Sequence, residues 1–425
     1  MDIHVVQPGD TLYSIAVQHG VSLSRLINDN QLPDPNRLVV GQTIVVQYPL
    51  RTYRVKAGDT LYSIACAHGT TVRQLLRNNP VLKGSDLLLP GQELVLTFRQ
   101  KKEGSLAVNA YTYPFIDREL LQRTLPYLTS LTSFSYRFDA KGNLTYPDDK
   151  QIIAAAKQMD VAPMMCLANL TPEDSFSSDL ASAVLNNKAA QNTLADNVMQ
   201  AIRDRGFAGL VFDFESVYAK DAQSYARFVA RMRERLAPLG IPVTVALVAK
   251  TSADQQGDLY QGHDYRLLGQ AADYVQLMTY EWGYSYGPPM AVAPLRNVRQ
   301  VVEYAVTEIP RKKIYLGIPL YGYNWLLPYQ QGRAATSVSP QQAVTLAADH
   351  RAAIQFDEAA QSPWFHYVDS EGREHEVWFE DARSIRAKLT LAAEYGLYGV
   401  SYWNLTRPFP QNWVVLNALY DIRQA

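Results

Sequence analysis

Eight residues, GDTLYSIA, occur twice near the start of the chain, at 9–16 and again at 58–65. The agreement extends outward, because VVQPGDTLYSIAVQHGVSLSRLINDN recurs as YRVKAGDTLYSIACAHGTTVRQLLRNN. A repeat of this period means two copies of one small supersecondary unit, which constrains every later assignment. In each copy a short extended run (3–6; 53–55) leads to a turn glycine, Gly9 or Gly58. Asp10 or Asp59 follows where a helix cap belongs, its carboxylate able to accept backbone N–H groups. Leu12, Ile15 and Ala16 then mark one apolar helical face. Ser22 or Thr70 opens a second helix with Leu23, Leu26 and Ile27 as its buried stripe, and a closing strand (43–46; 93–96) follows Gly41-Gln42 or Gly91-Gln92. Each unit is therefore β-α-α-β, over 2–48 and 51–98, with a tight link at Tyr48-Pro49-Leu50 and a polar linker at 100–104.

From about residue 105 the pattern changes. Apolar runs at 106–113, 131–138, 161–169, 209–215, 242–249, 274–280, 314–322 and 397–405 alternate with amphipathic stretches that end at glycine. Eight strand-helix units over 105–425 predict a (β/α)8 TIM barrel, an α/β fold. An open doubly wound sheet is the weaker alternative, because no Gly-rich phosphate loop follows the first run. Residues 326–382 are too many for one crossover. WFHYVDSEGREHEVWFED within them predicts a β-hairpin around Ser370-Glu371-Gly372, hence a small inserted α+β element that walls a cleft.

The fourth run, GLVFDFE, carries the chemistry. Alternate strand residues share a face. Leu210, Phe212 and Phe214 suit the layer against outer helices, whereas Gly209, Val211, Asp213 and Glu215 face the barrel axis. Two inward carboxylates are costly unless they have a task, and they stand at the C-terminal end of the strand, where barrel enzymes place catalysis. Close like charges push one carboxyl up, so that it stays protonated and acts as an acid. Ordinary glycosidases set two carboxylates on opposite sides of the scissile bond. Positions i and i+2 lie side by side instead, which suits attack by the substrate's own N-acetyl group, with Glu215 protonating the leaving oxygen and Asp213 steadying the acetamido group.

Both N-terminal copies resemble LysM modules, which bind N-acetylglucosamine-containing glycans such as peptidoglycan and chitin. The resemblance implies a sugar groove formed by Gly9, Asp10 and Thr11 with Asn30, and by Gly58, Asp59 and Thr60 with Asn79. The 208–215 segment resembles the DxxDxDxE signature of family 18 glycoside hydrolases, and 105–425 as a whole is similar to that family. QLMTYE (276–281) resembles its strand-six motif, which implies that Tyr280 bonds the acetamido oxygen and that Gln276, Met278 and Glu281 stand by the sugar. GIPLYG (317–322), with Tyr321, resembles the strand-seven motif. Trp403 in SYWNL resembles the tryptophan that floors the −1 subsite, and Tyr111 faces the same subsite. Departures from the pattern are Ala208 and Val211 in place of the first two acids, Glu281 for an aspartate, and CLAN (166–169) where Ser-x-Gly-Gly is common. Together with MTYEWGYSYGPPMAVAPL (278–295), these features are similar to the spore cortex-lytic N-acetylglucosaminidases of spore-forming bacteria. That implies cortex peptidoglycan as substrate and deposition around the spore cortex without a cleaved signal. A chitinase and a non-cutting glycan-binding scaffold are the competing readings.

Composition agrees with this partner and disfavours others. A formal net charge of −1 gives no electrostatic footprint for nucleic acid or an anionic membrane. No window is long enough for a membrane span, and Met-Asp-Ile-His lacks the basic and apolar regions of a signal peptide. Cys66 and Cys166 fall in different units and make no disulfide framework. The seven histidines lack ligand spacing, so no metal is expected, and the mechanism needs no cofactor. Nothing in the sequence sets an oligomeric state.

Overall fold

A computed structural model describes residues 1–32 and 34–425. In the first repeat Asp2–Val5 pairs antiparallel with Thr43–Val46, and helices Leu12–His19 and Leu23–Asn30 pack over them. In the second, Pro49–Arg54 pairs with Glu93–Phe98 beneath Leu61–His68 and Val72–Asn78. Four local expectations are corrected. The helix caps are Thr11 and Thr60, whose side chains accept from the N–H of Ser14 and Ser63 in reciprocal capping boxes, while Asp10 and Asp59 brace the preceding turn. The second helix of the second repeat is capped by Thr71 rather than Thr70. Leu23 is exposed, so the buried stripe there is narrower than its apolar spacing suggests. Pro49 opens a strand and is no separate link.

The large domain closes into a barrel of eight parallel strands: β1 (Gly104–Thr112), β2 (Ser130–Phe138), β3 (Ala162–Ala168), β4 (Gly209–Asp213), β5 (Val243–Val248), β6 (Tyr274–Met278), β7 (Ile314–Pro319) and β8 (Gly399–Trp403). The β8–β1 and β1–β2 pairings complete the ring. Phe212 and Phe214 pack outward against Tyr225, and Phe212 also meets Phe228, on the helix Ala222–Leu236. Val211 points inward, beside Met164 and Cys166. Strand parity in β4 is therefore as the sequence implies.

The insertion begins earlier than its length alone suggests. β7 stops at Pro319, and Gly322–Leu326 already belongs to a five-stranded antiparallel sheet with Thr336–Val338, Glu374–Trp378, Ser362–Val368 and Gln355–Asp357. Gly322 permits this crossing, since a Cβ there would lie 2.2 Å from the Trp378 carbonyl oxygen. Helix Pro340–Asp349 covers the sheet. Ser362–Val368 and Glu374–Trp378 form the hairpin around 370–372, its turn tied by Asp369, which accepts from the N–H of Glu371 and Arg373 at 2.9 Å each.

Residues 100–104 are not a free linker. Glu103 N–H donates to Leu419 O at 2.6 Å, and β1 starts at Gly104. Both modules also rest on the barrel. Gln411 and Asn417, on the helix Pro410–Leu419, bond Asn30 and Asn78, at 2.9 and 3.1 Å. Arg73, almost fully buried, donates to backbone carbonyls of Asp160, Pro126 and Leu128, and Arg77 to Pro126.

Candidate active site

The C-terminal ends of the barrel strands open into a cleft of about 1160 Å³. Asp213 and Glu215 both line it. Asp213 is buried over an apolar floor of Val211, Cys166 and Met164, and its Oδ1 has no hydrogen-bond partner among the described residues. Removal from water raises its carboxyl well above the usual range. Glu215 is raised for the same reason, and further by the neighbouring Asp213 and Glu281 carboxylates. Such a pair holds a proton near neutrality, as a general acid requires.

Glu215 stands two residues past the end of β4, and Ser216 after it is left-handed at φ 53°. Its backbone is held instead by Asn169, at the end of β3. Glu215 N–H donates to Asn169 Oδ1 at 3.0 Å, and Asn169 Nδ2 donates to Glu215 O at 2.9 Å and to Ser177 O at 2.9 Å. Buried His263 approaches Phe214 O at 2.9 Å through Nε2. Burial lowers its pKa to about 4, so the ring is neutral and Nε2–H is the donor. Neither residue was expected from the sequence. Asn169 carried one signal, a polar residue ending an apolar barrel run, and His263 carried none.

Tyr111, Met278, Tyr280, Glu281, Tyr321 and Trp403 all line the cleft with the two acids. Trp403 is enclosed edge-on by Phe134, Tyr111 and Tyr113, with centroids at 4.9, 5.2 and 6.0 Å. Glu281 takes a left-handed backbone, φ 68°, and accepts from the hydroxyls of Tyr321 and Tyr323, the latter at 3.0 Å. Its enclosure raises the carboxyl, and the two hydroxyls draw it back. Gln276 is a correction. It is buried, does not line the cleft and accepts from the Tyr111 hydroxyl, so its contact is with Tyr111 rather than with the cleft.

The modules bring a second correction, which concerns Asn30 and Asn79 alone. Asn30 and Asn79 are 2% and 1% exposed. Each donates to two carbonyls, Leu26 and Val45 or Leu75 and Val95, and accepts from the strand N–H of Val45 or Val95. They fasten helix to strand, their side-chain polar atoms bonded to the module's own backbone. Gly9 and Gly58 shape left-handed turns at φ 91° and 88°, and the Thr11 and Thr60 hydroxyls serve the caps. Asp10 and Asp59 are held by His4 and Tyr53, at 2.9 and 2.8 Å. Among the described residues no cluster of His, Cys, Asp and Glu could hold a metal, and no helix is long and apolar enough to cross a membrane.

The model for glycosyl hydrolases family 18 matches residues 123–407, and the LysM domain model matches 4–47 and 53–97. The chain belongs to glycosyl hydrolase family 18. Like others of the family it is a glycoside hydrolase, here with two LysM domains that bind glycan. It is 43% identical to the cortical fragment-lytic enzyme of Bacillus subtilis, over 99% of both chains. It resembles the crystal structure of the Bacillus megaterium spore cortex-lytic enzyme SleL with a TM-score of 0.85, at 39% identity, covering 100% of this chain and 99% of that one. A chitinase from Chromobacterium violaceum matches with a TM-score of 0.68 at 28% identity, over 73% of this chain and 98% of its own.

Proposed function

We propose that this family 18 member is a spore cortex peptidoglycan hydrolase, a retaining β-N-acetylglucosaminidase that acts by substrate assistance. The observation that carries the mechanism is the side-by-side pair at the end of β4, with Asp213 Oδ1 unpartnered among the described residues and Glu215 braced by Asn169. Glu215 gives its proton to the glycosidic oxygen as the anomeric bond breaks. The acetamido oxygen of the same sugar closes on the anomeric carbon from the opposite face. Asp213 orients the acetamido N–H and balances the positive charge, and Tyr280 donates to the acetamido oxygen. Water then attacks the anomeric carbon, losing a proton to the Glu215 carboxylate and reopening the ring with retained configuration. Trp403 floors the reacting sugar, and Glu281, steadied by Tyr321 and Tyr323, accepts from its hydroxyls. No cofactor enters.

The cortex as substrate rests on the relatives named for cortex and cortical-fragment lysis, which span the full chain. The same relatives support a place in the spore cortex region, with the LysM modules holding the wall glycan. Mass spectrometry of cortex digests tests both parts. New N-acetylglucosamine reducing ends are expected with wild-type protein, and a loss of about a hundred- to ten-thousandfold with Glu215→Gln. Cleavage at the wild-type rate by that variant sinks the assignment, and chito-oligosaccharide release from chitin with no action on cortex favours a chitinase instead.

A further inference from the structure

The two N-terminal modules repeat each other in sequence but not in surroundings. Their loops before the closing strand align as Arg37-Leu38-Val39-Val40-Gly41 and Leu87-Leu88-Leu89-Pro90-Gly91. In the second module Leu89 is 64% exposed, and a Cβ on Gly91 would meet nothing. In the first, Val39 is 5% exposed and packs with Val338, Ala347, Ile354 and Phe365 of the barrel insertion. Ile354 N–H donates to Val40 O at 2.8 Å, and Arg37 pairs with Asp349 at 2.8 Å. A Cβ on Gly41 would fall 1.8 Å from Ile354 O. One loop is free, and its copy is seated on the catalytic domain.

That seating leaves a groove of about 700 Å³ between the two bodies. Asp10, Thr11 and Tyr13 stand on the module side, with the 35–40 loop. The other wall is Ala347, Ala348 and 351–353, at the C-terminal end of the helix Pro340–Asp349. Tyr13 presents its ring, 69% exposed, as a stacking face for a sugar. The alanines give a wall without protruding side chains. Arg351 lies exposed on the rim and takes no part in the nearby ion pair, where Arg37 holds Asp349.

We propose that this groove is one carbohydrate site built by both domains, taking an N-acetylated glycan strand whose substituents carry carboxylates. Tyr13 stacks on a sugar, the alanine wall admits the strand, and Arg351 meets a carboxylate of a lactyl or peptide substituent. An uncharged chitin strand fills the same groove without engaging Arg351. The proposal rests on the reading of the modules as glycan binders.

The test uses the full chain carrying Glu215→Gln, so that polymer is held and not cut, with insoluble peptidoglycan and chitin as separate probes. Ala353→Trp blocks the groove from the insertion side at an exposed position, and Arg351→Glu reverses the rim charge. Tyr13→Ala and Tyr62→Ala report on each module alone. Ala353→Trp is expected to weaken retention on both polymers, and Arg351→Glu to weaken it about two- to fivefold on peptidoglycan only. Matching melting temperatures verify folding. Loss with Tyr13→Ala but not with Ala353→Trp overturns the composite site, as does loss with Tyr62→Ala alone. Equal loss on both polymers with Arg351→Glu overturns the charged occupant. Failure of the parent to bind either polymer instead sinks the glycan-binding reading itself.

Discussion

Glu215 lies beyond the reach of its own strand's ladder, so the precision of a would-be proton donor depends on a neighbour's side chain. Asn169 satisfies both of its backbone polar groups. Asn169→Ala is expected to lower kcat about 10- to 100-fold with KM nearly unchanged, because a small displacement of a catalytic group has that cost. Steady-state kinetics on soluble cortex fragments checks it, and an equal change in both constants would contradict it. Burial of Asp213 makes a second prediction. Its folded carboxyl is raised above the unfolded value, so the folded state keeps a proton that the unfolded chain releases. Its contribution is fully present below the ordinary carboxylate range and is lost as pH rises through the raised value. Asp213→Asn removes this titration. Its stability relative to wild type should be near parity at pH 4 and higher by about 1 kcal/mol or more at pH 8, measured by urea unfolding at both. The two acids were legible because strand parity is local. Asn169 and His263 were not, since their contacts join the ends of different strands and loops. Asn30 and Asn79 misled for a related reason: an asparagine at a helix end fits a ligand site and a helix-to-strand clasp equally well.

Elements were legible wherever periodicity changed and less so where it did not. The hairpin around Glu371-Gly372 stood out by its turn residues and flanking aromatics. The break between β7 and the insertion sheet did not, because GIPLYG is continuously apolar and only the close approach at Gly322 divides it. The insertion returns to the barrel through Glu380 and Lys388, an ion pair at 2.8 Å with both side chains wholly buried. Lys388→Ala leaves a carboxylate without its counter-charge and should cost about 3–5 kcal/mol in denaturant unfolding. Glu380→Leu combined with Lys388→Met should recover most of that loss, since well-packed apolar replacements of a buried pair are tolerated. Loss of equal size in the double variant would mean that the pair's value lies in packing rather than charge.

At the scale of the molecule, the joint between modules and barrel was the least legible part. The polar composition of 100–104 suggests a tether, whereas hydrogen bonds from Glu103, Arg73 and Arg77 to backbone carbonyls make it a fixed seat. Arg73→Ala removes donors from the enclosed carbonyls of Asp160 and Leu128 and should cost about 1–3 kcal/mol. Calorimetry should show one transition for the wild type and a split profile for the variant. The seat also changes what holding a polymer means. A tethered grip wanders through a cloud of positions and raises local concentration in all of them. A bolted grip offers a single offset between the point of capture and the point of scission. The separation between the two is then a property of the fold, set by the seat at Glu103, Arg73 and Arg77 and not by the slack of a linker.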